Sequence, residues 1–281
     1  MNLALLTAAG SGSRMGQDIP KQFMNIDDCP VIIYTMQAFQ HHPQVDAIAV
    51  VCLNGWEVVI KAYANQYGIT KLKYIYPGGD SNFHSIRNGL MGLRNDGIKD
   101  DDIVIIQDGV RPLVSEDIIS RNIETCKKYG YAVTGLLCKE VIMEYHSDDN
   151  HLSYMPIPRE RLVRTQTPHT YKLGIILEAQ QIAINNMLED TAASCQLVAQ
   201  IGINDQHLVL GSEKNGLKLT NVEDIDDYEK EDDRMEQDNE RLADHQRSVL
   251  CNIRDEVDAL DTLLQDTRLN RRRMQGAVRI I

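Results

Sequence analysis

Short apolar runs recur through residues 1–228 at the spacing of a chain that alternates strand and helix. Leu3-Ala4-Leu5-Leu6-Thr7 is continuous rather than alternating, the pattern of a strand buried on both faces, and it stops at Ala8-Ala9-Gly10. Ala47-Ile48-Ala49-Val50-Val51-Cys52, Lys73-Tyr74-Ile75-Tyr76, Ile103-Val104-Ile105-Ile106 and Ala132-Val133-Thr134-Gly135-Leu136-Leu137 repeat the theme. Helical periodicity fills the gaps. Pro30 opens one stretch, Val31 to Phe39, where proline suits the first helical position, and Val58, Val59, Ala62 and Tyr63 mark another. Strands separated by helical patterns imply parallel pairing through right-handed crossovers. The predicted fold class is therefore α/β, a mostly parallel sheet flanked by helices.

Two regions break this rhythm. Over 139–165, Glu140-Val141-Ile142-Met143-Glu144-Tyr145 and Leu152-Ser153-Tyr154-Met155 flank the turn-rich His146-Ser147-Asp148-Asp149-Asn150-His151, which predicts a β-hairpin arm projecting from the sheet. Thr220-Asn221-Val222-Glu223 reads as a capping box opening a last helix of the 1–228 domain. Residues 229–281 form a separate helical tail: Glu229-Lys230-Glu231-Asp232-Asp233-Arg234 is a charge run, and no Gly or Pro stands between Thr220 and Met274. Leu250, Ile253, Val257, Leu260 and Leu264 follow a heptad seam. A coiled-coil stalk giving a higher oligomer and an amphipathic helix lying on its own domain both fit that seam.

Charge narrows the function classes. The chain carries 29 Lys plus Arg against 41 Asp plus Glu, a net charge of −12. That argues against a nucleic-acid partner, which would call for a basic footprint, and Arg271-Arg272-Arg273 is too short to reverse it. No apolar stretch approaches the roughly 20 residues a membrane span needs, and Met1-Asn2-Leu3-Ala4-Leu5-Leu6 lacks a basic leader, so the expected location is cytoplasmic. The six cysteines, Cys29, Cys52, Cys126, Cys138, Cys195 and Cys251, form no CxxC and read as reduced thiols. The histidines offer no zinc-ligand spacing.

The sharpest chemistry follows the first strand, in Ala8-Ala9-Gly10-Ser11-Gly12-Ser13-Arg14-Met15-Gly16. Small residues let consecutive backbone N–H groups approach a phosphate closely, an anion-binding nest. The dinucleotide fingerprint would place a third glycine at 15, where Met15 stands, and the P-loop lysine is absent too. Instead Arg14 and then Lys21, in Pro20-Lys21-Gln22-Phe23, set two cations beside the nest. Such cations suit nucleotidyl transfer, in which charge on a pentacoordinate phosphorus is stabilised. Read alone, the segment could also be a tight turn with solvated cations, and Gly78-Gly79 a plain strand-ending turn.

Taken together, these motifs resemble the cytidylyltransferases acting on 2-C-methyl-D-erythritol 4-phosphate and on ribitol 5-phosphate, over roughly residues 1–228. The resemblance implies a Rossmann-like sheet with a protruding β-arm that helps form a homodimer. It implies that Ala8, Ala9, Gly10 and Gly12 line a CTP site with Arg14 and Lys21 as catalytic cations. Gly78-Gly79-Asp80-Ser81-Asn82-Phe83-His84-Ser85 resembles the cytosine-recognition loop, with main-chain contacts from Gly79 and Asp80 and a hydroxyl contact from Ser85. Asp108, in Gln107-Asp108-Gly109-Val110-Arg111-Pro112, matches a Mg²⁺ ligand. Arg159, Thr167 and Asp190 match acceptor-binding positions, with Arg159 reaching the neighbouring subunit's site, and Lys218 matches a lysine on the transferring phosphate.

The departures fall mainly on the acceptor side. Asn82 stands where the family usually has Arg, Val141 where it has Thr, Glu189 where Thr often precedes the Asp, and Gly216 where it has Asn. Asp108-x-Val110-Arg111-Pro112 and Ile157-Pro158-Arg159 look more like the ribitol-phosphate branch. The expected activity is transfer of CMP from CTP to a sugar-alcohol phosphate, ribitol 5-phosphate favoured, releasing pyrophosphate. The methylerythritol enzyme and a non-catalytic scaffold on the same fold are the alternatives.

Overall fold

The computed structural model describes residues 1–10, 19–26, 28–145, 155–188, 193–203, 206–219 and 224. All of them fall in the first of two units, Met1–Asp226. The expectations for Gly12, Arg14, Asp190, the capping box at 220–223, Cys251 and the tail lie outside the described residues.

The chain begins with β1 (Asn2–Ala8). A 3-10 turn at Lys21–Phe23 and the short strands β2 (Asn25–Ile26) and β3 (Cys29–Pro30) precede α1 (Val31–His41). Next come β4 (Ala47–Cys52), α2 (Glu57–Gln66), β5 (Leu72–Pro77), α3 (Asn82–Asn95), β6 (Ile103–Asp108), α4 (Glu116–Tyr129) and β7 (Tyr131–Leu137). After them lie β8 (Ile142–Met143), β9 (Pro156–Ile157), β10 (Val163–Lys172), α5 (Leu173–Asn185), α6 (Ser194–Gln200), β11 (Leu208–Leu210) and α7 (Glu213–Gly216).

Seven strands form one sheet in the order β11-β7-β10-β6-β1-β4-β5. β1 pairs in parallel with both β4 and β6, and β4 with β5. From β1 the chain therefore winds first toward β4 and β5, then returns to β6 on the other side. Ligands of such sheets bind outside the carboxyl ends of the strands at this switch point. The apolar runs are continuous because both faces are covered. Leu3 and Leu5 pack with Ala49, Val51, Leu90 and Ile176 on one side, while Ala4 and Leu6 pack with Ile48, Val50, Ile33 and Ile119 on the other.

One part of the sheet departs from the parallel expectation. β10 runs antiparallel between β6 and β7, and β11 then pairs parallel with β7. Its sequence, Val-Arg-Thr-Gln-Thr-Pro-His-Thr-Tyr-Lys, lacks an apolar run because several of its buried positions are polar and bonded to neighbours. Thr170, for example, is fully buried and donates to Asn122 Oδ1.

Over its described residues the arm is a hairpin, and Leu152 lies outside them. Ile142 pairs with Ile157 and Met143 with Pro156, and the Glu144 amide donates to the Met155 carbonyl at 2.9 Å. Cys52, Cys126, Cys138 and Cys195 are buried free thiols and Cys29 is half-buried. Burial pushes Cys52 and Cys126 up to about 12, so both are un-ionised at neutral pH. Among the described residues no helix is long and apolar enough to cross a membrane.

Candidate active site

In the β1/β6 ladder Thr7 lies opposite Asp108, so both strands end at the same level. The chain leaves β6 tightly: the Gly109 amide donates to the Thr7 carbonyl at 3.0 Å, and a Cβ at Gly109 would sit 2.9 Å from that oxygen. Glycine is what the close approach permits. Asp108 is thereby held at the mouth of the crevice.

The segment after β1 is fastened by a side chain from the 3-10 turn. Gln22, 1% exposed, donates Nε2 to the Ala8 carbonyl at 2.7 Å and the Gly10 carbonyl at 3.1 Å. The turn itself is anchored by Phe23, whose ring stacks on Trp56 with centroids 4.2 Å apart. Opposite stands the β5–α3 loop. A Cβ at Gly78 would lie 2.5 Å from Ala9 Cβ, and Ser85 Oγ accepts the Gly79 amide at 3.0 Å. Ser81 caps α3, its Oγ accepting the His84 amide at 3.1 Å.

Ala8, Ala9, Gly10, Lys21, Gly79, Asp80 and Ser85 line one cavity of about 460 Å³, together with Asp108 and Lys218. Every described residue expected at the nucleotide site is there. A second cavity, about 350 Å³, is walled by Arg111, Thr165, Gln166, Thr167, His169 and Ser194 among others. Among the described residues, Thr7, Asn82, Asp108 and Lys218 line both cavities. The two spaces therefore meet at Asp108.

That carboxylate carries the electrostatics of the junction. Its Oδ2 lies 2.8 Å from Lys218 Nζ and accepts Arg111 Nε at 3.0 Å, while Thr7 Oγ1 reaches Oδ1 at 3.5 Å. Burial alone would raise the Asp108 carboxyl. Lys218 and Arg111 outweigh it and hold the group at about 2. It is ionised throughout the physiological range. The Asp108 amide donates to Thr167 Oγ1 at 3.2 Å, tying the two cavity walls together. His169 is held neutral: burial lowers it to about 4, and its Nδ1 lies 2.9 Å from Ser194 Oγ.

The chain matches, over residues 2–229, the family described as IspD: 2-C-methyl-D-erythritol 4-phosphate cytidylyltransferase. This protein belongs to that cytidylyltransferase family. A ribitol-5-phosphate cytidylyltransferase from Lacticaseibacillus paracasei is 38% identical over 227 residues, 80% of this chain and 95% of that protein. A 2-C-methyl-D-erythritol 4-phosphate cytidylyltransferase from Clostridium tetani is 33% identical over 80% of this chain and 87% of its own. The crystal structure of the Francisella tularensis 2-C-methyl-D-erythritol 4-phosphate cytidylyltransferase superposes with a TM-score of 0.67 at 25% identity, covering 81% of this chain and 98% of that one.

Within this cytidylyltransferase fold one expected residue stands apart. Arg159 lines neither cavity. It sits half-exposed at the base of the arm, donating to the Lys139 carbonyl at 2.8 Å and paired with Glu160 at 3.5 Å. Conversely, the crevice recruits side chains to which the sequence motifs give no role: Gln22, Thr7, Arg111, Gln166, His169 and Ser194. Gln22 and Arg111 stand inside quoted motifs. What distinguishes them is a hydrogen bond to a residue distant in sequence, which spacing does not reveal.

Proposed function

We propose that the protein is a Mg²⁺-dependent cytidylyltransferase that converts CTP and ribitol 5-phosphate into CDP-ribitol and pyrophosphate. The observation that carries this is the pair of cavities meeting at Asp108 and Lys218, one bounded by the glycine nest and the other by polar side chains of β10. CTP would occupy the nest side, with Ala8, Ala9, Gly10 and Gly12 at the triphosphate and Gly79, Asp80 and Ser85 at the base. The acceptor would lie against Thr167 and Asp190. Its phosphate oxygen attacks the α-phosphorus in line, that new P–O bond forms as the bond to the β-phosphate oxygen breaks, and pyrophosphate leaves. The acceptor monoester is already anionic, so no covalent intermediate is required. Arg14, Lys21 and Lys218 balance charge on the transferring phosphate.

The residues at the junction fit a Mg²⁺ site. Asp108 presents a hard carboxylate where the two cavities meet, a donor that suits an ion keeping waters and phosphate oxygens as its other ligands. Asp108 would hold it, through a carboxylate that is ionised at any working pH. When bound, the ion would supply a hard Lewis acid that offsets the charge on the phosphates.

Ribitol phosphate is favoured by its relatives and by the wall chemistry. Thr165, Thr167 and Asn82 offer hydrogen-bonding groups to a hydroxylated chain. The arm supports a homodimer: Val141, Met143, Tyr145 and Met155 are all exposed there, an apolar strip that a second copy would cover. In such a dimer Arg159 would reach the partner's acceptor cavity. Use of CTP as substrate supports a cytoplasmic location. Pyrophosphate release from CTP with ribitol, methylerythritol, arabinitol and glycerol phosphates tests the proposal. Ribitol 5-phosphate is expected to give the highest kcat/KM. Dominance of methylerythritol 4-phosphate would reassign the acceptor, and silence with every acceptor would support the scaffold alternative.

A further inference from the structure

Lys218 lies on a segment with little regular structure of its own. α7 is a single four-residue turn, and it ends at Gly216. What fixes this stretch is a buried amide of β10. Gln166, 5% exposed, donates Nε2 to the Ser212 carbonyl at 2.9 Å and accepts Asn215 Nδ2 on Oε1 at 2.9 Å. Asn215, 1% exposed, also donates Nδ2 to the Thr167 carbonyl at 3.1 Å. The two glycines of the segment make room for this amide. A Cβ at Gly211 would lie 2.2 Å from Gln166 Oε1, and one at Gly216 would lie 2.4 Å from Gln166 Nε2. Gly216 is one of the departures from the family pattern, and the contact explains it: no side chain fits there while Gln166 holds its place.

The strap continues on the other side. Arg111 donates to the Gly216 carbonyl, and the Leu219 amide donates to the Val110 carbonyl at 3.0 Å. Two residues beyond Gly216, Lys218 places Nζ 2.8 Å from Asp108 Oδ2. Thr167, next to Gln166, accepts the Asp108 amide on its hydroxyl. One amide thus links the acceptor wall, the lysine segment and the carboxylate.

We propose that Gln166 is a positioning residue: its clasp with Asn215, closed over Gly211 and Gly216, sets the reach of Lys218 to the junction of the two cavities. The proposal rests on the reading of Lys218 as a cation that meets the transferring phosphate. A buried amide bonded on both its ends specifies geometry more tightly than apolar packing does, since each unmade bond would leave a desolvated group.

The test compares the full-length protein with Gln166→Met, Gly216→Ala, Lys218→Met and the double variant Gln166→Met/Lys218→Met. Gln166→Met is expected to lower kcat at saturating substrates by about ten-fold or more, with CTP affinity kept within roughly three-fold. Amide hydrogen exchange over 211–218 is expected to speed up in the same variant. In the double variant the loss is expected to stay within about two-fold of Lys218→Met alone, because both changes remove one function. Where Gln166→Met does not fold, Gly216→Ala, which keeps the glutamine but displaces its amide, is expected to show the same losses. A folded variant with kcat unchanged, or losses that multiply in the double variant, would overturn the positioning role. Unchanged exchange over 211–218 would overturn the clasp whatever the activity. Absence of pyrophosphate release by the unaltered protein would instead bring down the functional reading, with the exchange result still standing.

Discussion

Lys21 and Gln22 are neighbours on one 3-10 turn and point to opposite duties. Lys21 lines the cavity beside the nest, whereas Gln22 turns inward and takes up the Ala8 and Gly10 carbonyls. A carbonyl bonded to Gln22 is not presented to a polyphosphate, so the glutamine favours the amide side of the nest. Lys21→Ala is expected to leave the thermal unfolding curve in place and cut kcat by about 10²–10³-fold, the loss of one transition-state cation. Gln22→Met leaves the buried Ala8 carbonyl unpaired, at about 1–3 kcal/mol, and frees the exposed Gly10 carbonyl. It is expected to lower the unfolding temperature and raise KM for CTP while sparing KM for the acceptor. Equal shifts in both KM values would argue against a role in shaping the nest. His169 adds a pH signature. Burial holds it at about 4 in the folded chain against 6.5 as its ordinary value, so the unfolded chain binds the extra proton between those limits. Stability is therefore expected to fall as pH drops from 6.5 toward 4, by roughly 3 kcal/mol from this residue. Urea unfolding of His169→Gln across that range is expected to show a flatter pH dependence than the unaltered chain.

At the scale of the element, legibility in the sequence follows burial chemistry. β1, β4, β6 and β7 are readable because strands covered on both faces fill with Leu, Ile, Val and Ala. β10 is not. Its Gln166, His169 and Thr170 are buried, and each is hydrogen-bonded to a residue from elsewhere in the chain: Asn215, Ser194 and Asn122. They belong to none of the apolar runs that mark the other strands. The same reason divides the candidate site. Ala8-Ala9-Gly10, the Gly78-Gly79 loop and Asp108 sit at strand ends and follow local motifs, while the cavity wall on β10 depends on partners brought together only by the fold. The β5–α3 loop offers an element-scale prediction. Gly78→Ala would drive its Cβ to 2.5 Å from Ala9 Cβ, just past β1, and 3.1 Å from the Cys52 carbonyl at the end of β4, so the backbone must shift to yield. Prising this loop from the end of β1 widens the nucleotide cavity. KM for CTP is expected to rise about ten-fold or more with kcat changed less, measured by steady-state pyrophosphate release. An unchanged KM would show that this loop does not bound the nucleotide.

For the whole molecule the decisive question is whether one chain makes a complete site. Lys21, Asp108, Thr167 and Lys218 converge within a single chain, whereas Arg159 stays on the arm with Lys139 and Glu160 for company. In the proposed reading Arg159 grips the acceptor phosphate of a second copy's site, and the exposed apolar residues of the arm are what would bring that copy. Symmetry turns this into a measurement. In a two-fold dimer each site would combine Lys21 of one subunit with Arg159 of the other, so Lys21→Ala and Arg159→Ala chains are each inactive alone. Mixed, unfolded and refolded together in equal amounts, half the dimers pair one of each, and in those dimers one site regains both residues. About a quarter of the unaltered activity is expected to return. If Arg159 instead served its own chain's cavity, each mixed dimer would hold one site lacking Lys21 and one lacking Arg159, and nothing would return. Val141→Asp on the arm, tested by sedimentation, separates the two remaining causes of silence: a monomer of lower activity keeps the shared site, while an intact dimer places the interface elsewhere.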